Sequence, residues 1–337
     1  MNPLRRLAET IRRGNPVPAP VAALLRAASL VQRAGMRHRL RGPRVRVNVR
    51  VVSFGNLTAG GTGKTPAVIE RAGLELARGR RVAVVTRGYG GRRVAEPFVY
   101  CGAESGTPPD PELLGDEAAM FALRYLELSV VRARDRVAGA RAALARGCDL
   151  VILDDGYQAV RLERDENVLL VDAGNPFGNG RLLPAGILRE PLDAMARATH
   201  VLVTRCDEAR DLPGLLATIH RHCPDAPVRL TRHAPESFQP LAGGASSGLD
   251  RFRGAEIAAV CGLARPESFF RTLESLGCRI VRRHALPDHA PIPASLLRDA
   301  LPVIITEKDA ARLGTGAAEA VTAGVHVLRV GLADFTP

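Results

Sequence analysis

The stretch Val51–Pro66, VVSFGNLTAGGTGKTP, holds the residues best suited to chemistry. An apolar run enters a glycine-rich turn that ends in Gly63-Lys64-Thr65, and a helical pattern follows. Backbone N–H groups in such a turn point inward and cradle phosphate oxygens. Lysine adds a point charge at the β/γ-phosphates, and threonine offers a hydroxyl to Mg²⁺. The expected binding segment for a nucleoside triphosphate is therefore Thr58, Ala59, Gly60, Gly61, Thr62, Gly63, Lys64 and Thr65. A strict G-x-x-x-x-G-K-[ST] pattern has glycine where this chain has Thr58; Gly60 and Gly61 supply the turn freedom instead. A plain strand–turn–helix corner also uses glycine, but it leaves G-G-T-G-K-T after an apolar strand unexplained.

A second signal is Leu150-Val-Ile-Leu-Asp154-Asp155-Gly156. A buried apolar strand ending in Asp is the Walker B arrangement, whose carboxylate reaches the Mg²⁺ held by the threonine hydroxyl. Two adjacent carboxylates repel unless a cation or a proton relieves them. A third is Gly115-Asp116-Glu117, which follows a Pro-rich loop and opens a helix; acids there also stabilise a helix start by themselves. Gly88, Gly90 and Gly91 in TRGYGG follow a strand and let backbone and Arg87 approach a ligand closely. The irregular segment Gly174–Pro191 is long for a loop inside a compact domain, which points to function. Its Arg181 and Arg189 can grip an anionic substrate through paired hydrogen bonds. Last comes Leu286-Pro-Asp288-His289, a histidine beside a carboxylate in a loop after a strand.

The elements that must position these groups follow from apolar periodicity. Strands are expected at 47–55, 81–86, 128–131, 149–153, 167–172 and 200–204, with helices at 64–79, 115–126 and 134–146. Alternation of this kind predicts a parallel sheet with helices on both faces. A second α/β series has strands near 226–230, 256–261, 278–283, 302–306 and 325–330, and helices near 265–276 and 308–313. The segment 233–250 reads as loop. The expected division is a basic arm (1–45), a P-loop core (46–205) and a C-terminal α/β domain (206–337) that completes an active-site cleft.

The charge is concentrated at one end. Residues 1–50 hold twelve Arg against Glu9 alone, which accounts for +11 of the +12 formal charge. A helical pattern from about Pro20 to Leu40 sets Val21, Leu24, Leu25, Ala28 and Val31 on one side and Arg26, Arg33, Arg37 and Arg41 on the other; Leu30 and Arg39 break it. An arginine face opposite an aliphatic one fits a helix lying in a membrane interface, or one packed on the body with its arginines in water. Nucleic acid is not the expected partner, since the arm lacks aromatics for stacking. The six cysteines show no C-x-x-C spacing and read as buried thiols in a reducing compartment. With no secretory signal and no long apolar run, the chain is expected in the cytoplasm.

Taken in order, GNLTAGGTGKTP, TRGYGG, GDE, LDDGYQ, FGNGRLLPAGILREP, LPDH and TEKDA (306–310) resemble the tetraacyldisaccharide 4'-kinase family of lipid A synthesis. The resemblance spans about Asn48 to Leu313, and the FGNG…LLPAG…LREP loop is its most specific part. It implies a P-loop NTPase-like α/β fold with a second, smaller α/β domain and an amphipathic helical arm. It also implies ATP and Mg²⁺ as cofactors, and transfer of the γ-phosphoryl to the 4'-hydroxyl of an acylated disaccharide 1-phosphate. The expected location is peripheral, on the cytoplasmic face of the bacterial inner membrane against an anionic surface. Mapped onto this chain, the resemblance makes Lys64, Asp116, Asp155 and His289 the catalytic set, with Asp116 as base and His289 as its partner. Thr65, Asp154 and Asp155 would serve the metal, and Arg87, Gln158, Arg189 and Glu190 the substrate. Ala159 stands where the family often has His, and the arm matches in character rather than in motif.

Three other readings stay open at this level. A membrane-bound regulatory ATPase would carry a second lysine ahead of the paired glycines, where this chain has Ala59. A GTPase would use Thr204-Arg205-Cys206-Asp207 to read guanine. A soluble small-molecule kinase would merely pack its arm on the body.

Overall fold

A strand with apolar residues at every position needs cover on both faces, which parallel α/β sheets provide. The computed structural model describes residues 10–11, 17–263, 266–288, 290–320 and 324–336. Its strands in chain order are β1 (Arg50–Asn56), β2 (Val82–Thr86), β3 (Phe98–Cys101), β4 (Ser129–Arg132), β5 (Leu150–Leu153), β6 (Glu166–Asp172), β7 (His200–Thr204), β8 (Val228–Pro240), β9 (Glu256–Cys261), β10 (Arg279–Ala285), β11 (Val303–Thr306) and β12 (Val325–Asp334). Each expected strand has a counterpart. Among the described strands one was not foreseen: β3 is short and antiparallel to β4.

The chain forms two compact units. One takes the residues up to Val68, Asp135–His233 and those from Ala333; the other takes Ile69–Arg134 and Ala234–Leu332. Residue 205, where the sequence reading divides core from C-terminal domain, falls inside the first unit, because β7 and β8 on either side of it pair in parallel (Val201 opposite Val228).

In the first unit β1 lies between β5 and β6, and β7 and β8 extend the parallel series beyond β6. β5 is buried throughout and β1 after Arg50. Tyr157, Leu169, Val171, Met195, Val203, Leu215 and Ile219 form its core. The helix Leu212–His222, also unforeseen, starts at Asp211, whose side chain accepts from Gly214 N, with Pro213 in the first turn. The basic helix spans Ala19–Leu40. It seats Ser29 against the loop, with Oγ donating to Leu182 O (3.0 Å), and Gln32 Nε2 donates to Arg189 O (3.2 Å). Val21 and Leu25 turn partly inward, whereas Leu24, Leu30 and Val31 stay exposed at 71%, 67% and 74%. The expected apolar side is thus split between a seated and an open face.

In the second unit β2 and β4 are parallel with β3 at the edge, and β10, β9, β11 and β12 form a parallel series. Phe238, Phe252, Phe269, Phe270 and Leu273 anchor one core cluster; Val260, Leu297, Val303 and Ile305 lie in another. The helices Asp116–Arg124 and Glu307–Ala320 pack on each other. The segment 233–250 is not all loop: β8 runs to Pro240, and Phe238 exchanges both backbone hydrogen bonds with Ser247. Its Pro and Gly mask a strand that a short return segment pairs locally.

Candidate functional site

The turn after β1 opens directly into the helix Lys64–Ala77. Gly60 and Gly63 adopt φ of +128° and +77°, conformations that favour glycine. The turn is braced from behind. Thr204 Oγ1 donates to Thr62 O (2.9 Å), Ala59 N to Ile187 O (2.7 Å), and Arg189 N to Leu57 O (2.6 Å). Asn56 Nδ2 donates to Thr58 O and Oγ1. Thr58 and Ala59 therefore shape the turn: the Ala59 amide, expected to face phosphate, is already spent on Ile187. Inward-facing donors have to come from Gly60 onward.

Lys64 Nζ lies 3.2 Å from Asn56 Oδ1 and 3.4 Å from Asp155 Oδ1. Asp155 takes a left-handed backbone (φ 52°), which turns its carboxylate back toward the lysine. Arg189 Nη1 donates to both Asp155 oxygens at 3.0 and 2.8 Å. Two cations thus converge on one carboxylate beside the glycine turn. Asp154 is buried, and its carbonyl accepts from Arg136 Nη2 (2.8 Å). Gln158 spans the same group, donating from Nε2 to Asn56 O (3.0 Å) and Glu190 Oε1 (2.9 Å).

The segment 174–191 folds back on itself, with Leu183 N donating to Leu188 O and Gly186 N to Leu182 O, and lies along the glycine turn. This presents Arg189 to Asp155. Arg181 is exposed elsewhere on the loop. Glu190 departs from the expected substrate contact. It is 1% exposed, and Arg197 Nη2 clamps its carboxylate at 2.9 and 2.7 Å while the Arg197 guanidinium carbon lies 4.8 Å from the Tyr157 ring centre. A charge this deep is retained by its partner, so Glu190 supports the loop.

Behind Gly63 stands His233. A Cβ on Gly63 would fall 2.7 Å from His233 Nε2, a buried nitrogen with no hydrogen-bond partner among the described residues. Burial first, and the nearby Arg205 guanidinium second, lower the His233 pKa to about 4, so the ring is neutral at pH 7. Arg205 itself pairs with Asp172. Thr204 and Arg205, noted for a guanine-reading pattern, here serve the rear of the glycine turn.

The second unit brings two of the sequence signals together. Gly115 adopts φ +90°, and a Cβ there would stand 2.4 Å from Tyr89 O, so the TRGYGG turn lies directly on the start of the Asp116 helix. Arg132 fastens that turn, donating to Arg92 O (2.7 Å) and Leu113 O (2.5 Å). Arg87 is exposed, with Nη1 donating to Tyr89 Oη (3.2 Å). Asp116 Oδ2 accepts from Arg312 Nε at 2.8 Å. Asp288 pairs with Lys308 (3.2 Å); His289 lies outside the described residues.

Four arginines escaped the sequence reading: Arg132, Arg164, Arg197 and Arg312. Arg164 donates to Gly156 O, Ala159 O and Asn167 Oδ1, locking the turn that carries Asp155. Burial, and then Arg197, lower its pKa to about 10. The legible hint was an arginine inside an apolar run, as in Val130-Val131-Arg132-Ala133.

Among the described residues no group of three His, Cys, Asp or Glu could hold a metal. Thr65, Asp154 and Asp155 are hard oxygen donors, and one or two carboxylates suffice for a magnesium ion that arrives with substrate phosphates. The donor set fits that ion rather than a resident cage. No described helix is long and apolar enough to cross a membrane.

A glycine turn between a buried parallel strand and a helix, with lysine opening the helix and aspartates closing the adjacent strand, defines a P-loop NTPase-like protein. A family model described as LpxK, tetraacyldisaccharide-1-P 4'-kinase, matches residues 16–334. The tetraacyldisaccharide 4'-kinase of Anaeromyxobacter sp. (strain K) is 40% identical over 336 residues, covering 93% of this chain and 88% of the relative. That of Jannaschia sp. (strain CCS1) is 43% identical over 307 residues, covering 88% and 87%. The crystal structure of the "apo" form of LpxK from Aquifex aeolicus in complex with ATP superposes with a TM-score of 0.73 at 26% identity, covering 94% of this chain and 95% of that one. The chain belongs to the tetraacyldisaccharide-1-P 4'-kinase family.

Proposed function

We propose that this chain transfers the γ-phosphoryl of ATP to the 4'-hydroxyl of a tetraacyl disaccharide 1-phosphate. The observation that carries the reading is the convergence of Lys64 and Arg189 on Asp155 beside the glycine turn. The ATP in the Aquifex aeolicus relative and the names of the curated relatives support it.

Phosphoryl transfer needs positioning and charge neutralisation more than covalent help. The turn from Gly60 to Gly63 offers backbone amides to phosphate oxygens, and the helix start at Lys64 adds its dipole. Lys64 sits at a loose 3.4 Å from Asp155, so it can exchange that carboxylate for a phosphate oxygen at small cost. Arg189 holds Asp155 in orientation meanwhile. Magnesium, when bound by Thr65, Asp154 and Asp155, would offset the charge that develops on the transferring group. Asp116 is the base that takes the proton of the sugar hydroxyl, with His289 as its partner.

The acyl chains cost about 0.8 kcal/mol per CH₂ to expose, so the enzyme has to come to the lipid. The open face of the helix Ala19–Leu40, with Leu24, Leu30 and Val31 beside exposed Arg26, Arg33 and Arg37, suits the surface of an anionic membrane. We accordingly assign residues 1–45 to peripheral attachment at the cytoplasmic face of the inner membrane. Residues 46–205 handle the nucleotide, and 206–337 complete the enzyme; nucleic acid has no part in it.

The test is incubation with ATP, Mg²⁺ and the tetraacyl disaccharide 1-phosphate in detergent, with product mass and phosphorylation site determined. A 4'-phosphorylated product is expected, with Lys64→Ala slowing turnover by at least about a hundredfold. Failure to phosphorylate this acceptor while binding ATP, or normal turnover by Lys64→Ala, would overturn the assignment.

A further inference from the structure

The TEKDA motif is unexplained by the function above, and its helix approaches Asp116. Arg312 is 7% exposed and reaches three acceptors from one guanidinium. Nε donates to Asp116 Oδ2 (2.8 Å), and Nη1 donates to Gly262 O (3.0 Å) and to Asp309 Oδ1 (3.3 Å). Asp309 is itself fixed, with its side chain 0% exposed. Its Oδ1 accepts from Gly262 N (3.1 Å) and its Oδ2 from Thr306 Oγ1 (2.6 Å). Thr306, Asp309 and Arg312 thus make a chain of locked groups that ends on the Asp116 carboxylate.

This arrangement exceeds what a helix-capping acid needs. A capping acid gains its stabilisation from backbone N–H groups and the helix dipole, whereas Asp116 is held by an arginine 196 positions away in the sequence. Nor is the pair a surface salt bridge of negligible worth, since the cation is buried and has no freedom to swing. We propose that Arg312, held by Asp309, is the positioning residue of Asp116: it fixes one carboxylate oxygen and keeps the group ionised, ready to accept a proton. The proposal rests on the kinase reading with Asp116 as base.

The charges around Asp116 come from several elements. Its own helix carries Glu117 and Arg124; the short helix Pro111–Leu114 carries Glu112, and β4 carries Arg132. The helix Glu307–Ala320 adds Glu307, Lys308, Asp309 and Arg312, and the TRGYGG turn adds Arg87 and Tyr89. Arg312 bonds the carboxylate directly. An opposite charge in direct contact lowers a carboxylate pKa by about 1–3 units, so its removal raises the pKa.

The experiment compares pH profiles of kcat/KM for the lipid acceptor in the full-length wild type, Arg312→Gln, Arg312→Lys and Asp116→Asn. Arg312→Gln should move the acidic limb upward by about one pH unit and lower kcat at least tenfold, with KM for ATP within about threefold. Arg312→Lys should keep the limb in place yet still lower kcat severalfold, because an ammonium restores the charge but not the fork. A strongly reduced kcat with an unmoved limb in Arg312→Gln would make the contact merely structural and overturn the proposal. If Arg312→Gln does not fold, Arg312→Lys decides, and unchanged kcat there is the overturning result. Near wild-type turnover by Asp116→Asn would overturn the base assignment and this proposal together; loss of turnover there with an unmoved limb in Arg312→Gln sinks the proposal alone.

Discussion

Gly63→Ala separates shape from chemistry in the glycine turn. At φ +77° an alanine costs about 1–2 kcal/mol more than glycine. Its Cβ would also stand 2.7 Å from His233 Nε2 and 3.3 Å from Thr204 Cγ2, so the turn or the imidazole has to shift. Relieving such overpacking costs about 1–3 kcal/mol. The two effects together give about 3 kcal/mol, with a melting temperature lower by about 6–12 °C at roughly 2–4 °C per kcal/mol. ATP binding should weaken as well, since the shift pulls on the Thr204–Thr62 bond behind the amides. Gly61→Ala is the internal control: a Cβ there meets nothing within 4 Å, and its backbone is not left-handed. It should change stability by less than about 0.5 kcal/mol. Scanning calorimetry and ATP titration calorimetry on both variants read the outcome. Equal melting temperatures for Gly61→Ala and Gly63→Ala would refute the reasoning.

His233 makes stability depend on pH. Its pKa is about 4 when folded against an ordinary 6.5, so the unfolded chain binds more protons in between. Stability should therefore rise with pH across that window and fall by up to about 3 kcal/mol on acidification; denaturant titrations of His233→Asn should lose this slope, and an unchanged slope would refute the assignment. Glu190→Gln breaks the clamp to Arg197, which keeps some solvent and the Tyr157 ring, so the expected cost is about 2–3 kcal/mol. Melting should drop while KM for the acceptor stays near normal; a raised KM at unchanged melting would return Glu190 to the substrate. Leu24→Glu with Val31→Glu should weaken sedimentation with anionic vesicles more than about tenfold, and equal sedimentation would leave that helix face in water.

The parallel strands were legible because they are continuous apolar runs, and the glycine turn because lysine and threonine follow it at fixed spacing. β3 was not, since four residues at an edge carry too little pattern. The helix Glu307–Ala320 outran its expected end at 313 because Gly314 and Gly316 read as breakers. The site was visible as motifs but not as contacts. Nothing local to Asp116 announces Arg312, and nothing local to Glu190 says that Arg197, seven residues on, will bury it rather than leave it facing a ligand. Ion pairs between distant positions have no period to detect. The fold decides them.

The first unit is not finished by the chain's early residues. Phe335 N donates to Leu230 O (2.9 Å), and Asp334 meets Arg229 (2.7 Å), so residues beyond Ala333 return to a body begun before Val68. During synthesis this unit therefore cannot close until the residues beyond Ala333 have emerged, and its unpaired strand edges need shelter until then.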